Sequence, residues 1–228
     1  MTVALETEAF IFDTTSALDF TFRAGQYVDI TLENPAFPDA KSNTHSFSIA
    51  SSPNEHGSFM IATRMDSPTR PISNYKKSLR AMPIGTSVKV EGPFGMFTLH
   101  ENMNKKAVFL AGGIGITPIR SVVKFAAENR LPHKIALIYS NRNKSATVFL
   151  DEMEALQKDN PNFKLFAKMT EETGYVDGEY VKNALGGELS GAMYYIVGPA
   201  AMVQAFTKML EGAGVSHDDM KFEEFSGY

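Results

Sequence analysis

The amino-acid sequence predicts a two-domain protein: an antiparallel β-barrel followed by an α/β domain built on a parallel sheet. Three observations predict it. The first hundred residues hold short alternating runs, such as Val28, Ile30 and Leu32 around Asp29 and Thr31, broken often by Pro and Gly; many short strands with frequent turns make a small barrel. From residue 107 onward, apolar runs alternate with helix-length segments, the pattern of βαβ units. Between the two lies the polar stretch His100-Glu101-Asn102-Met103-Asn104-Lys105-Lys106. It reads as a linker and divides the chain into 1–102 and 103–228.

In the first half, Leu18, Phe20 and Phe22 alternate with Asp19 and Thr21 and predict a strand, as do Val28 to Leu32. The next run places His45, Phe47 and Ile49 on one strand face and Ser46, Ser48 and Ala50 on the other. Ser73 suits the N-cap of a helix reaching Ala81, and Val88 and Val90 flank Lys89 in a further strand. The second half predicts strands at 107–111, 135–140, 163–168, 193–197 and 220–224, with helices at 118–129, 147–158, 178–185 and 200–212. Val108, Phe109 and Leu110 form an unbroken apolar run, as in a strand covered on both faces. Gly112, Gly113 and Gly115 then permit positive φ and a close ligand. Thr117 suits an N-cap, and Pro118 the first helical position. A pyrophosphate is favoured before such a helix. The spacing is not G-x-G-x-x-G, so the turn alone reads equally well as an ordinary strand-to-helix connection.

Composition narrows the function. With 228 residues, 43% of them hydrophobic and 17 of them Phe, the chain can fill two cores. A net charge of −4 with no basic block argues against a nucleic-acid partner. The chain has no cysteine, which removes disulfides, Cys-ligated zinc, iron–sulfur clusters and catalytic thiols; no metal site is predicted. The N-terminus lacks the basic and apolar regions of a secretory signal. No apolar run approaches the ~20 residues of a membrane span, so a cytoplasmic location is expected.

A parallel sheet would bring the 112–118 turn, Ser140-Asn141-Arg142 and Gly198-Pro199 to one edge, as a nucleotide site. No acid stands at the end of the second strand of this half to accept hydrogen bonds from a ribose diol, whereas the Arg142 fork suits a 2′-phosphate. The expectation is a preference for NADPH over NADH. The plain alternative for Arg142 is a solvated surface charge.

Seven segments in order resemble the ferredoxin–NADP reductase family of flavoenzymes across nearly the whole chain. His45-Ser46-Phe47-Ser48 is similar to the R-x-[YF]-[ST] flavin motif, and Arg23-Ala24-Gly25-Gln26-Tyr27-Val28 to the segment before it. Gly92-Pro93-Phe94-Gly95-Met96-Phe97 is similar to the G-P-x-G-x-F closing segment. Gly112 to Pro118, Tyr139 to Arg142, Val197-Gly198-Pro199 and Glu223-Glu224-Phe225 follow. His45 replaces the motif arginine, a weaker and pH-dependent anion partner. Arg70-Pro71-Ile72-Ser73 keeps the serine of a second flavin motif but not its glycine, and Val197 stands where many relatives carry cysteine.

The resemblance implies FAD, with FMN as the fallback, and NADPH or NADH as hydride donor. It implies that Phe47 packs along the isoalloxazine, Ser48 donates near N5, Thr117 borders the nicotinamide, and Glu223 (or Glu224) assists proton or electron transfer. Phe225, or Tyr228 in its stead, would stack on the flavin. Lys76, Ser73, Ile72, Pro71 and Thr63 complete the flavin site, and Met202 joins Gly198 and Pro199 at the coenzyme. The implied partner is an electron-acceptor protein, ferredoxin-like or an oxygenase component, with the chain itself a monomer or weak homodimer. Three alternatives stay open: a free-flavin or small-molecule reductase, an electron-transfer or regulatory subunit inactive alone, and a nucleotide sensor that has lost flavin.

Overall fold

The structure is a computed structural model that describes residues 1–17, 19–39, 42–65 and 72–225. Its first half contains β1 (Thr2–Ala4), β2 (Thr7–Asp13), β3 (Tyr27–Thr31), β4 (Thr44–Ser48), β5 (Ser58–Arg64), α1 (Asn74–Ala81) and β6 (Lys89–Phe94). These strands form two three-stranded antiparallel sheets, ordered β1-β2-β5 and β4-β3-β6. Between them Val28, Ile30, Phe47, Ile49, Phe59, Ile61, Tyr75 and Leu79 make one core. Ser73 caps α1 as expected, its hydroxyl accepting from the Lys76 N–H.

The strand expected around residues 18–22 is not formed. Leu18 lies outside the described residues, and Phe20 and Phe22 sit on irregular backbone. Their rings pack against the core, Phe20 lying 5.3 Å from Phe59 between centroids. Burying aromatic rings satisfies the alternation without any backbone ladder. Conversely, β5 lacks a polar face and so escapes the period-2 criterion. Phe59 and Ile61 enter the barrel core, while Met60 and Ala62 enter a second core shared with the other half.

The second half runs β7 (Lys106–Gly112), α2 (Ile116–Glu128), β8 (Ile135–Asn141), α3 (Leu150–Asp159), β9 (Phe163–Met169), α4 (Thr170–Thr173), α5 (Gly178–Ala184), β10 (Ala192–Gly198), α6 (Ala200–Gly212) and β11 (Met220–Glu224). All five strands are parallel, in the order β11-β10-β7-β8-β9. The apolar run of β7 is divided between two layers, as its double burial requires. Ala107, Phe109 and Ala111 face α2, while Val108 and Leu110 face the layer holding Val203, Phe206 and Leu210 of α6.

Two helix starts differ from expectation. A 3₁₀ turn, Gly113–Gly115, leads into α2 at Ile116, so Thr117 is the second helical residue, and its hydroxyl donates to Ile114 O at 3.1 Å instead of capping. Pro118 is third, still within the first turn, where N–H groups have no intrahelical acceptor. The helix expected from 147 begins at Leu150, because Asn143 first holds a 3₁₀ turn over 144–146 and Phe149 takes φ +57°. Among the described residues no helix is long and apolar enough to cross a membrane.

Candidate functional site

Strand order reverses at β7: the chain moves outward through β8 and β9, then returns to place β10 on the other side. Ligands of open α/β sheets bind at such a switch point, beyond the carboxyl ends of the strands. The segments there are Gly112–Gly115 and Gly198-Pro199, both expected from sequence.

The glycines are needed for different reasons. Only Gly113 of the first turn has positive φ, +56°, and its missing Cβ would lie 3.4 Å from Arg64 Nη2. Gly115 is helical in φ, but a Cβ there would stand 2.6 Å from Val197 O. A Cβ on Gly112 would meet Met202 Sδ at 2.5 Å, and one on Gly198 would meet Met202 Cε at 2.5 Å. Gly112 therefore makes room for Met202 of α6, and Gly115 lets the turn lie close on β10, rather than serving positive φ. The turn is also pinned from below. The Tyr139 hydroxyl lies 3.0 Å from Gly113 O and 3.1 Å from Val148 O, and burial pushes its pKa well above the usual tyrosine range.

The barrel half meets this edge through β5, with β4 and α1 beside it. Ser48 is buried at the end of β4, and Thr63 is fully buried beside Arg64 on β5. Lys76 donates to Arg64 O at 2.8 Å; burial, with the Arg64 charge second, lowers its pKa to about 8. His45 lies with its ring 4.1 Å from that of Tyr75, its pKa lowered mainly by burial, opposed by Asp39 and reinforced by Lys76. Burial thus favours the neutral imidazole at the place of the family's permanently charged arginine.

Several residues stand differently from the sequence reading. Phe47 is 5% exposed within the barrel core, so its main contacts are with Tyr75 and its aliphatic neighbours and little of the ring faces outward. Ser46 is exposed and its hydroxyl donates to Asp29 at 2.5 Å. Pro71 and Tyr228 lie outside the described residues, while Ile72 is half-buried just before Ser73. Phe225 donates its N–H to Gly198 O at 3.1 Å, which places it beside the switch point, and its ring packs on the shared core.

The two tail acids are now distinguishable. Glu224 is exposed, whereas Glu223 pairs in register with Val197, and burial raises its pKa to about 7. It shares a strand face with Lys221, which donates to Met96 O at 3.1 Å and Thr98 O at 2.8 Å across the seam with the barrel half.

A second part of the seam is a closed polar network. Arg120 of α2 donates to Ala50 O at 2.6 Å and forks onto Glu152 at 2.6 and 2.8 Å. Ser121 donates to Ser51 O at 2.5 Å, Lys124 pairs with Glu55 at 2.6 Å, and Ser52 and Asn54 both donate to Glu128. Sequence reading misses Arg64, Arg120 and Tyr139. Recognising 58–64 as a strand would place Arg64 at its end; Arg120 and Tyr139 are signalled only as polar residues in otherwise apolar runs.

Five buried side-chain atoms lack a protein partner among the described residues: Ser48 Oγ, Thr63 Oγ1, Asn141 Nδ2, Glu223 Oε2 and His133 Nδ1. Buried polar atoms are normally paired. Four of these five belong to residues singled out for cofactor binding or catalysis, and a polar ligand would satisfy them. Ser48 and Thr63 on the barrel side, with the Lys76 and Arg64 cations, fit a flavin nucleotide. Asn141 and the glycine turn fit a dinucleotide coenzyme.

A barrel of this kind joined to a parallel sheet with a nucleotide-binding switch point defines a flavin- and nicotinamide-dependent oxidoreductase. Comparisons with known proteins agree: residues 1–99 match the Oxidoreductase FAD-binding domain and residues 109–208 the Oxidoreductase NAD-binding domain. The chain is 30% identical over 203 residues to NADH-cytochrome b5 reductase 1 of Aspergillus terreus, covering 83% of this chain and 67% of that protein. It is 31% identical over 204 residues to one subunit of the Na(+)-translocating NADH-quinone reductase of Haemophilus influenzae, covering 79% of this chain. The chain spans 48% of the length of that relative. Among solved structures, phthalate dioxygenase reductase superposes with TM-score 0.77 at 21% identity, covering 100% of this chain and 66% of that one. Ferredoxin-NADP+ reductase from Plasmodium falciparum superposes with TM-score 0.73 at 19% identity, covering 96% and 89%. The chain belongs to the ferredoxin–NADP reductase family.

Proposed function

We propose that this chain takes reducing equivalents from NAD(P)H onto FAD and hands them to an electron-acceptor protein, ferredoxin-like or an oxygenase component. The observation that carries this reading is the set of unpartnered buried atoms, Ser48 Oγ and Thr63 Oγ1 in the barrel half and Asn141 Nδ2 and Glu223 Oε2 in the other. FAD, when bound, supplies the chemistry: it accepts hydride from a nicotinamide and releases the electrons to an acceptor.

The residues position, hold charge and hold a proton. Ser48 donates a hydrogen bond to the reacting edge of the flavin. Lys76 and the first turn of α1 meet the pyrophosphate, with Arg64 adding charge from β5. The 113–115 turn and Thr117 seat the nicotinamide, and Gly198, Pro199 and Met202 close the coenzyme side. Glu223, with a pKa near 7, keeps a proton available at neutral pH. Phe225, held beside Gly198, would lie toward the flavin where the nicotinamide would bind.

The reading is tested by purifying the protein, titrating it with FAD and with FMN, and following NADH and NADPH oxidation with ferricyanide. Candidate protein acceptors are then added in turn. Stoichiometric FAD binding, turnover with ferricyanide and faster turnover with one acceptor protein support it. A preparation that binds neither flavin overturns it. Turnover only with free flavin or small acceptors would make it a small-molecule reductase, and flavin binding without turnover would make it an inert subunit.

A further inference from the structure

Within the second strand of the parallel sheet itself no acid stands at the carboxyl end, which leaves Arg142 for a 2′-phosphate. The structure brings an acid there from the neighbouring strand. β8 and β9 end side by side, with Ser140 opposite Lys168 and Asn141 opposite Met169. The chain turns at once into α4, and the Glu171 N–H donates to Arg142 O at 3.1 Å. The Glu171 carboxylate takes a hydrogen bond from Asn143 Nδ2 at 2.9 Å, and its other oxygen lies 4.0 Å from Arg142 Nε. A backbone bond and a side-chain bond thus fix a carboxylate beside the one arginine expected to read the coenzyme's ribose.

We infer that Glu171 is a specificity-determining residue that turns this chain toward NADH and against NADPH. The inference rests on the proposed NAD(P)H site. A ribose diol has two hydroxyls to donate, and a carboxylate at the end of the strands accepts them. A 2′-phosphate brings further negative charge, has little to donate and must compete with Glu171 for the Arg142 guanidinium. Both side chains are more than half exposed, at 67% and 54%. Solvent therefore screens the repulsion, and discrimination is graded rather than absolute.

The test compares 5′-AMP with 2′,5′-ADP by calorimetry, and kcat/KM for NADH with that for NADPH, in the wild type, Glu171→Gln and Arg142→Ala. The wild type should bind 5′-AMP at least as tightly as 2′,5′-ADP and favour NADH. Glu171→Gln should move both ratios toward the 2′-phosphorylated ligand by roughly tenfold, as expected for removing one like charge at close range. Arg142→Ala should leave the NADH preference in place. A wild type that prefers NADPH, or ratios in Glu171→Gln within twofold of wild type while both nucleotides bind, would overturn the inference alone. Failure of the wild type to bind either nucleotide would overturn the coenzyme site along with it.

Discussion

Along the α2 side of the seam, Arg120, Ser121, Lys124 and Glu128 close a polar network onto the 50–55 loop. On β4 and β5 of the barrel half, Ser48 and Thr63 are buried too, but among the described residues their hydroxyls have no protein partner. The first stretch joins the two halves, and the second lies within the barrel half. The difference separates structural polarity from functional polarity. Where the protein satisfies its own groups, the joint is fixed; where it leaves them unsatisfied, the proposed flavin would complete them.

The comparison breaks first if the joint depends on close backbone approach more than on either kind of polarity. Gly115→Ala would push a methyl against Val197 O and force the 113–115 turn and the start of α2 away from β10. Overpacking of this sort should cost roughly 3 kcal/mol, seen as a melting temperature lower by roughly 6–12 °C and loss of coenzyme binding. Next in size is Arg120→Met, which leaves Ala50 O and the Glu152 carboxylate without their donor. Because Glu152 is partly solvated, the loss should be about 2 kcal/mol rather than the full cost of a broken buried pair. Thermal unfolding measures it, and FAD affinity should change much less than stability.

Glu223→Gln sharpens the comparison through pH. Burial raises the folded-state pKa of Glu223 to about 7 from the ordinary 4.5 of a glutamate. The folded state therefore holds this proton more tightly than the unfolded state. The stability contribution is full below the unfolded pKa and is lost as pH rises to about 7. Denaturant titrations at a series of pH values should show this decline in the wild type, worth roughly 1–3 kcal/mol, and not in Glu223→Gln. Turnover should lose its pH dependence near neutrality in the same variant.

The smallest effects divide the two sides most cleanly. Ser48→Ala and Thr63→Val remove hydroxyls that no protein group uses among the described residues. The flavin-free protein should keep its stability or gain up to about 1 kcal/mol. FAD affinity should fall severalfold in both, and flavin reduction should slow in Ser48→Ala. A loss of flavin-free stability in either variant would place that hydroxyl with the structural set.

The sheet of the second half is legible because its strands are short apolar runs divided by amphipathic helices. The barrel is legible mainly at β3 and β4, where one face is polar. β5 is hidden because it serves two cores, and the 18–22 segment misleads because aromatic rings can be buried from a loop. At the site, the glycine turn, Ser48, Asn141 and Glu223 are visible as residue types in order along the chain. Glu171 is not, because its relation to Arg142 exists only across two strands. Nothing at the end of one strand signals an acid delivered by the next.

Gly112, Gly198 and Met202 come from three elements, yet sterically they are one part. The methionine fills the volume that a side chain on either glycine would need. Substitutions at these positions are therefore not independent in heredity. A methyl on Gly112 needs the flexible thioether end of Met202 to swing aside or the residue to shorten, as in the pair Gly112→Ala with Met202→Ala. Gly198 has no such route, since its φ of +154° disfavours any side chain whatever its neighbours. The lineage of this chain is thus free to trade at two corners of the joint and held at the third.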